Sequence, residues 1–327
     1  EPYTIDSRSK KASLWSHLLF WANVINLSVI VFGEILYLGV AYSDGKFIDA
    51  VTVLSYIGFV IVGMSKMFFI WWKKTDLSDL VKELEHIYPN GKAEEEMYRL
   101  DRYLRSCSRI SITYALLYSV LIWTFNLFSI MQFLVYEKLL KIRVVGQTLP
   151  YLMYFPWNWH ENWTYYVLLF CQNFAGHTSA SGQISTDLLL CAVATQVVMH
   201  FDYLARVVEK QVLDRDWSEN SRFLAKTVQY HQRILRLMDV LNDIFGIPLL
   251  LNFMVPTFVI CFGGFQMTVG VPPDIRINYR RALVFFIARP QRTTYLKATI
   301  FMNITRATMT DLLQVSYKFF ALLRTMY

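Results

Sequence analysis

The sequence lacks the cysteine patterns that build disulfide frameworks or zinc sites. Its four cysteines stand singly in helical or apolar runs, with no CxxC pair and no spacing typical of metal ligands: Cys107, Cys171, Cys191 and Cys261. It also lacks a catalytic grouping, since His160, His177 and His200 are too far apart along one predicted helix and the segment before it. We therefore expect no disulfide framework, no metal or other cofactor, and no enzymatic activity.

Charged residues are scarce and apolar residues abundant. Of the 327 residues, 55% are apolar and 16% aromatic, and the mean hydropathy of +0.32 excludes an ordinary soluble domain. The net charge of +7 could suggest nucleic-acid binding, but the basic residues cluster beside the apolar runs, as cytoplasmic flanks of membrane spans do. The sequence therefore predicts an all-α, polytopic membrane protein that contacts the lipid bilayer and no nucleic acid.

Five apolar segments before residue 275 are long enough to cross a bilayer. They are 15–41, which contains Glu34 near its outer end, 47–72, 110–136, 163–210 and 244–270. Since the basic residues near the amino terminus lead into a run too long for a signal peptide, we expect the first span to act as its own insertion signal. A charged run over 92–109 predicts a helix that enters the third span.

The fourth and fifth spans are predicted to continue into the cytoplasm. The segment 163–210 contains no proline, and one helix of this length would exceed roughly 60 Å, against about 30 Å of hydrocarbon. The segment 222–243 predicts an amphipathic helix that leads into the fifth span. One face of that helix is predicted from residues at helical spacing: Leu224, Val228, His231, Leu235, Met238 and Asn242.

The distribution of basic residues predicts a cytoplasmic amino terminus. It places the basic clusters at 73–109 and 206–236 inside and the loops at 43–46 and 137–162 outside. After the fifth crossing the chain should be outside, yet a strongly basic stretch follows at 276–297 without a further span. Either the positive-inside rule fails here, or one helix is absent from the chain between about Asp274 and Tyr279, and we favour the absent helix.

The carboxyl-terminal part resembles the insect odorant receptors. The resemblance rests on the ending Ser316 to Arg324, on Arg281 to Gln291 before the last span, and on His231, Leu235 to Asn242 and Phe245 in the fifth helix. It extends over nearly the whole chain and implies seven transmembrane helices with the amino terminus inside, of which the sixth is missing here. The short loop 209–222 resembles odorant-specific, or tuning, subunits, because the co-receptor carries a long insertion at this place.

The resemblance implies an odorant-gated, non-selective cation channel in the plasma membrane of olfactory sensory neurons. Tuning subunits of this family assemble with a co-receptor into a heterotetramer around a central pore. Residues 1–205 are expected to form transmembrane helices 1–4 with the outer loop 137–162, and residues 206–243 the cytoplasmic anchor helices. Residues 244–275 are expected to form the fifth helix and an outer turn. In helix 7, residues 276–304 are expected to form the cytoplasmic anchor half and residues 305–327 the pore-lining half.

The last segment is expected to line the pore. The resemblance implies that Leu322 forms the hydrophobic gate and that Thr325 and Met326 lie at the outer mouth. Helical spacing places five residues on one face of this segment, with polar residues toward its start and apolar residues toward its end: Asp311, Val315, Lys318, Leu322 and Met326. An apolar constriction can close a pore by dewetting. Lys318 and Arg324 either face the lumen, where positive charge repels cations, or point toward neighbouring helices.

The odorant pocket is expected in the outer halves of the second, third and fourth helices, the region that the pocket occupies in the family. A small volatile ligand needs an apolar pocket with one or two polar groups, and the many aromatic residues predict an aromatic or medium-sized apolar odorant. Each candidate has ordinary helix packing as its alternative role. By depth, these helices supply Thr52, Tyr56, Phe59, Trp123, Asn126, Ser129, Ile130, Phe133, Cys171, Phe174 and Thr178.

Three glycosylation sequons test the orientation. Asn162 lies in the predicted outer loop, whereas Asn26 lies in a span and Asn303 near the inner face, so only Asn162 should be used.

Three other classes of membrane protein are alternatives to this prediction. A gustatory-receptor-type channel shares the architecture but functions without the co-receptor. A G-protein-coupled receptor needs its amino terminus outside, and the triplet Asp101-Arg102-Tyr103 precedes the third span instead of following it. A secondary transporter is expected to show internal repeats with broken helices, and we find none.

Overall fold

The computed structural model describes residues 10–142, 147–160, 162–211 and 217–269. Within these ranges the protein is helical and contains no strand. A π-helical turn over Phe133–Leu139 extends the fifth helix. The α-helices are α1 Lys10–Ser43, α2 Phe47–Trp72, α3 Lys74–His86, α4 Lys92–Tyr98, α5 Leu100–Gln132, α6 Thr164–Lys210 and α7 Trp217–Val269.

Four stretches of the described helices are long and apolar enough to cross a membrane: His17–Ser43, Phe47–Trp72, Leu100–Glu137 and Thr164–Lys210. These helices confirm the first four predicted spans and an all-α, multi-pass membrane protein. The predicted fifth span begins at Ile244 within α7, which continues as helix to Val269. The expected positions of the missing sixth helix and of the seventh helix lie outside the described residues.

The helix α6 is a single element of 47 residues. At about 1.5 Å per residue it is about 70 Å long, more than twice the roughly 30 Å of bilayer hydrocarbon. The sequence predicted this from the absence of proline between 163 and 210. One end of α6 must therefore extend beyond the hydrocarbon.

The described residues fall into two compact units. The first takes in the residues up to Met64 and those from Tyr118 to Gln183; the second takes in Ser65–Leu117 and the residues from Ile184 onward. Both units draw on α2, α5 and α6, because each of these helices is divided between them.

The second unit is built around an apolar core formed by α3, α6 and α7. Leu80 and Leu84 of α3 pack with Val197 of α6 and with a stripe of α7 that includes Leu237 and Leu241. The two α3 leucines are four residues apart and therefore lie on one face of this short amphipathic helix. The charged face of the helix points away from the core.

The prediction of the buried face of α7 is wrong, because the residues that are buried lie one position away from the predicted ones. Leu224, Val228 and Leu235 were expected to share the buried face, but all three are exposed, and Ile234, Leu237 and Leu241 are buried instead. The buried face was hard to recognise because it contains polar residues. One of these is Tyr230, whose hydroxyl hydrogen-bonds Tyr98 (3.0 Å) and His200 (2.8 Å).

The charged run 92–109 is not one helix as predicted. The helix α4 ends at Tyr98, Arg99 adopts the left-handed conformation with φ 53°, and α5 begins at Leu100. The break allows Tyr98 and Leu100, on either side of Arg99, to be buried together against Met199. This apolar burial, with Tyr98 stacked on Tyr203 at 3.9 Å between ring centroids, compensates the left-handed residue.

A buried ion pair joins four helices within the second unit. Lys66 of α2 is 1% exposed and donates to both carboxylate oxygens of Asp187 in α6, at 2.8 and 3.0 Å. The same carboxylate accepts hydrogen bonds from Tyr114 of α5 (3.0 Å) and Asn252 of α7 (2.8 Å). With its acceptors satisfied from three other helices, Asp187 compensates the cost of burying the Lys66 ammonium.

Cysteines separated along the chain meet in the fold. Cys107 of α5 and Cys191 of α6 are free thiols close enough to interact electrostatically, and Cys171 is also free. Among the described residues no group of three or more histidines, cysteines or carboxylates could hold a metal ion.

Candidate ligand site

The side chain of Tyr151 is the centre of a polar cluster in the first unit. It belongs to the loop that precedes α6 and is 4% exposed. Its main chain is fixed by Gln172 of α6: the Tyr151 amide donates to Gln172 Oε1 (3.2 Å), and Gln172 Nε2 donates to the Tyr151 carbonyl (3.0 Å). This two-way amide pairing holds the loop against α6 and directs the Tyr151 ring into the helices.

The hydroxyl group of Tyr151 contacts α5. The Tyr151 hydroxyl donates to Asn126 Oδ1 at 2.9 Å, and Asn126 is fully buried. Gly176 of α6 provides the space, because a Cβ at this position would meet the Tyr151 hydroxyl and lie 3.2 Å from Asn126 Nδ2. The contact therefore depends on a glycine that brings the α6 backbone close to the ring.

The same loop also covers α1. The Tyr154 amide donates to the carbonyl of Gly33 at 3.1 Å, and a Cβ on Gly33 would lie 2.5 Å from Met153 Cγ. The loop can pack this closely because Gly33 has no side chain. The residue after it, Glu34, is fully buried.

Two aromatic rings surround Tyr151. Tyr56 of α2 meets it edge to face with 5.3 Å between centroids, and Phe125 of α5 lies tilted at 5.5 Å. Tyr56 and Phe125 also meet edge to face at 5.8 Å. Edge-to-face pairs of this kind stabilise an apolar site while leaving ring faces available for contact with another apolar group.

Polar groups in this cluster lack partners within the described residues. They are both carboxyl oxygens of Glu34, which is fully buried, and Nδ2 of Asn126. The influence of Glu34 reaches the Tyr151 ring: burial raises the pKa of Tyr151, and the nearby charge of Glu34 raises this pKa further. Buried polar atoms without partners are costly, so their presence in one cluster marks a site that a polar ligand group can complete.

The structure brings two of the predicted pocket residues, Tyr56 and Asn126, together around Tyr151. Ser129, Ile130 and Phe133 follow along α5 and its π-helical turn and are half-buried. The hydroxyl of Thr52 donates to the carbonyl of Ile48 within α2. The role of each residue in ligand binding stays a prediction.

The remaining predicted pocket residues have contacts that do not involve Tyr151. Carbonyl groups of Phe59 and Cys171 accept hydrogen bonds from Ser179 and Asn26, respectively, and the Thr178 hydroxyl donates to Asn23. These three residues therefore lie where α6 packs on α2 or α1. Two aromatic candidates are largely exposed: Trp123, which contacts His177, and Phe174, which is stacked on Phe170.

Sequence reasoning did not include Tyr151, Gln172 or Glu34 in the pocket. Glu34 carried a signal, because a carboxylate inside an apolar span is costly and commonly functional. Tyr151 belongs to an aromatic loop whose sequence fits both an interfacial belt and a cover over a pocket. Gln172 had no signal of its own, since its partner is a main-chain group of a loop 21 residues away.

The predicted glycosylation site lies in the described part of the chain, and the predicted pore does not. Asn162 is exposed, and its Oδ1 accepts a hydrogen bond from the Trp163 amide at 2.7 Å. All of the predicted pore and gate residues lie outside the described part of the chain: Val315, Lys318, Leu322, Thr325 and Met326.

Comparison with known proteins identifies the family. The family described as 7tm Odorant receptor matches residues 46–279. Odorant receptor 85c of Drosophila melanogaster is 87% identical over an alignment that covers 100% of this chain and 95% of the relative. Odorant receptor 85b of the same species is 59% identical with the same coverage.

The alignment with odorant receptor 85c is longer than this chain. It extends over 371 residues, whereas the chain has 327, a difference of 44. Because the alignment covers the whole chain, at least this many positions of the relative have no counterpart inside it. This number exceeds the roughly 20 residues that a transmembrane helix needs, and the absent sixth helix stays a prediction.

The fold agrees with a solved insect receptor. The structure of the olfactory receptor OR5 from Machilis hrabei in complex with eugenol matches with a TM-score of 0.65 at 12% identity, covering 96% of this chain and 83% of that receptor. A second structure of the same receptor matches with a TM-score of 0.65 at 13% identity, covering 97% of this chain and 83% of that receptor. These two matches show the fold, whereas the family-model match and the 87% identity to a Drosophila odorant receptor show that the chain belongs to the insect 7tm odorant receptor family.

Proposed function

We propose that this odorant receptor is the odorant-binding, tuning subunit of a ligand-gated, non-selective cation channel. It assembles with a co-receptor into a heterotetramer in the plasma membrane of olfactory sensory neurons, with its amino terminus in the cytoplasm. The observation that carries the proposal is the buried cluster around Tyr151, in which Glu34 and Asn126 Nδ2 have no partners among the described residues.

The composition of the cluster suits a small odorant. Tyr56, Phe125 and Tyr151 provide apolar ring surface, and Asn126 provides a fixed polar contact. Pockets for small apolar molecules combine such surfaces with few polar groups. The ligand class is therefore a small, mostly apolar or aromatic molecule with at least one polar group.

An exposed stripe on α7 supports assembly with other subunits. Leu224, Val228 and Leu235 lie on one face of this helix and are exposed in the single chain. Apolar residues that stay exposed along one side of a helix already packed through another face are typical of an interaction surface. We propose that another subunit of the channel covers this stripe.

Whether the channel needs the co-receptor is tested by electrical recording. The receptor is expressed in a heterologous cell alone and with the co-receptor, and currents are recorded during application of a broad odorant panel. Odorant-evoked cation current only with the co-receptor is the expected result. Current from the receptor alone would favour a self-sufficient channel of the gustatory-receptor type, and no current with both subunits at the surface would contradict the proposal.

The assembly surface is tested with a charge substitution. Leu235→Glu should reduce co-purification with the co-receptor, because it buries a carboxylate in the contact. Gln229→Glu adds the same charge at an exposed position away from the stripe and serves as the matched control. Equal co-purification of both variants would contradict the proposed role of this surface.

The gate is tested at Leu322. Substitution by serine places a polar group at the proposed apolar constriction and should raise the current that flows without odorant, because dewetting becomes less favourable. A leak current equal to that of the unmodified channel would argue against Leu322 as the gate.

A further inference from the structure

One exposed face of α5 carries a row of arginines. Arg102, Arg105 and Arg109 are three and four residues apart, so they lie on one side of the helix, and all three are exposed. The same spacing continues to Ile112 and Leu116, which are 57% and 61% exposed. This face therefore changes from basic to apolar between Arg109 and Ile112, as expected where a helix enters lipid.

The end of α2 places the membrane boundary at the same depth. Asp187 accepts hydrogen bonds from Lys66 of α2 and Tyr114 of α5, so these two residues lie at one level of the second unit. Five residues further toward the predicted cytoplasmic side are Trp71 on α2 and Arg109 on α5. Trp71 is 41% exposed and is followed within three residues by two lysines, a pattern typical of a membrane interface.

The stability of the helix does not account for these arginines. They occupy the first ten residues of α5, at the positive end of its dipole, where basic residues are unfavourable. Asp101, which pairs with Arg105, is the single acidic residue among four arginines in the sequence 99–109, so this segment has a net charge of +3. The row therefore presents a positive surface that suits an anion.

Glutamates of the preceding helix α4 have contacts of their own. The Glu94 carboxylate accepts a hydrogen bond from the Asn90 amide at 2.9 Å, and the charge of Glu95 acts on Tyr88. Both partners belong to the loop between α3 and α4. These two carboxylates therefore interact with that loop and do not neutralise the arginine row.

We propose that Arg102, Arg105 and Arg109 bind the headgroup of a phosphoinositide, a lipid of the cytoplasmic leaflet whose inositol ring carries phosphate groups. In this arrangement Ile112 and Leu116 contact the acyl chains. The site is separate from the proposed odorant-binding and channel functions. It uses only the orientation that the distribution of basic residues predicts.

The direction of the row selects this class of lipid. At about 1.5 Å per residue, Arg102 lies about 10 Å further along the helix from the hydrocarbon than Arg109 does. A phosphatidylserine headgroup stays at the membrane surface and reaches Arg109 alone. Phosphate groups on an inositol ring project into the cytoplasm and also reach Arg105 and Arg102. Because a guanidinium group binds phosphate through paired hydrogen bonds, three arginines suit a headgroup with several phosphates.

Binding can be measured directly on the full-length receptor. The tagged protein is purified in detergent, and its binding of a fluorescent short-chain phosphatidylinositol 4,5-bisphosphate is followed by fluorescence polarisation. Replacing Arg102, Arg105 and Arg109 together by glutamine should weaken binding about a hundredfold, and each single replacement about fivefold, as expected for basic residues that contact an anionic lipid.

A rearrangement at constant charge separates the row from the net charge. Arg105→Ser with Ser106→Arg, combined with Arg109→Ser and Ser108→Arg, keeps the number of arginines and their depth. It turns the two arginines about 100° around the helix in opposite directions, away from the row. This variant should weaken binding about twentyfold, as much as the loss of both arginines.

Two lysines outside α5 provide the matched control. Lys82→Gln with Lys92→Gln removes two exposed positive charges from α3 and α4 and should change the affinity less than about twofold. Elution of each variant as a single peak at the volume of the unmodified receptor shows that it is folded.

Three results would overturn the proposal. Unchanged affinity after the rearrangement, at normal elution, would show that net charge alone attracts the lipid. Equal affinity for short-chain phosphatidylserine would exclude selection of a phosphoinositide. Binding of free inositol 1,4,5-trisphosphate as tight as that of the lipid would assign the row to a soluble phosphate. None of these measurements uses odorant-evoked current, so each result leaves the proposed channel function unaffected.

Discussion

At the scale of single residues, polar side chains inside the membrane helices fall into two groups. Lys66 and Asp187 satisfy each other, and Tyr114 and Asn252 complete the carboxylate. Glu34 has no such partners among the described residues. The first arrangement stabilises helix packing, whereas the second leaves hydrogen-bonding capacity for a ligand. The two groups therefore predict different effects of mutation, one on folding and the other on ligand response.

The hydroxyl of Tyr151 provides the first prediction. Tyr151→Phe keeps the contacts with Tyr56 and Phe125 but leaves buried Asn126 Oδ1 without its donor, so we expect a loss of about 1–3 kcal/mol in stability. Thermal denaturation of the detergent-solubilised, tagged receptor measures this loss. Tyr154→Phe in the same loop is the control, because its side chain is 41% exposed. A Tyr151→Phe variant as stable as the control would contradict the role assigned to this hydrogen bond.

The ion pair of Lys66 provides the second prediction. Lys66→Met leaves the Asp187 carboxylate, which is 19% exposed, without its counter-charge and should lower stability by about 3–5 kcal/mol. Combining Lys66→Met with Asp187→Asn removes both charges. The asparagine oxygen still accepts from Asn252, and its NH2 can donate to the Tyr114 hydroxyl, so much of the loss should be recovered. The measurement is again thermal denaturation.

An exposed pair serves as the control for this substitution. Lys46 pairs with Asp44 at 3.0 Å, but both side chains are about half exposed, so Lys46→Met should leave the melting temperature almost unchanged. If Lys66→Met behaves like Lys46→Met, or the double variant is less stable than Lys66→Met alone, the Lys66 pair does not have the energetic role proposed here.

At the scale of helices, two glycines of α2 differ in what they contact. A Cβ on Gly63 would lie 2.8 Å from the carbonyl oxygen and 3.0 Å from the Cα of Ser179, so α2 and α6 touch at their backbones. A Cβ on Gly58 would meet nothing within 4 Å. Close approach of backbones through small residues is a typical way for membrane helices to associate. Gly63 therefore has a packing function that Gly58 lacks.

The third prediction compares alanine at these two positions. Gly63→Ala must separate α2 from the α6 backbone and disturb the hydrogen bond from Ser179 to Phe59, so we expect a loss of about 1–3 kcal/mol and less receptor at the cell surface. Gly58→Ala should be neutral or stabilising by up to about 1 kcal/mol, because alanine favours a helix. Similar surface amounts and melting temperatures for both variants would show that the helices do not pack closely at Gly63.

The helices themselves could be predicted because they depend on local sequence. The turn at Asp44 and Gly45 and the uninterrupted helix α6 follow from residue type alone. The break at Arg99 could not be predicted, since it depends on the burial of Tyr98 and Leu100 against Met199, far along the chain. The buried face of α7 was misplaced because Tyr230, a polar residue in the pattern, is buried with distant partners.

The candidate site could be predicted only in part for the same reason. Asn126 and Tyr56 were expected from their depth in the outer halves of two spans. Both residues contact Tyr151. The position of Tyr151 depends on its hydrogen bonds with Gln172 and on the absence of a side chain at Gly176, and both contacts join separate segments of the chain. Residue type and helical period do not encode such contacts, although the lone Glu34 in an apolar span pointed to the region.

At the scale of the whole molecule, the orientation in the membrane determines which face receives the odorant. The distribution of basic residues predicts a cytoplasmic amino terminus. The predicted orientation places the loop of Tyr151 and Asn162 outside, where we propose that the odorant arrives. It places the exposed stripe of α7 inside, where we propose that subunits assemble. An inverted molecule would have neither arrangement, so the ligand and assembly proposals both depend on the orientation.

The fourth prediction tests this orientation through glycosylation. The sequon Asn162-Trp163-Thr164 lies in the predicted outer loop, and the Asn162 side chain is exposed, so Asn162 should carry a glycan in a cell that modifies secretory proteins. Treatment with an N-glycosidase should increase the gel mobility of the unmodified receptor but not that of Asn162→Gln. Asn303→Gln is the control and should leave the glycan unchanged, because Asn303 is predicted near the cytoplasmic face. A glycan lost in Asn303→Gln and retained in Asn162→Gln would reverse the orientation and place the Tyr151 cluster on the cytoplasmic side, where an external odorant could not reach it directly.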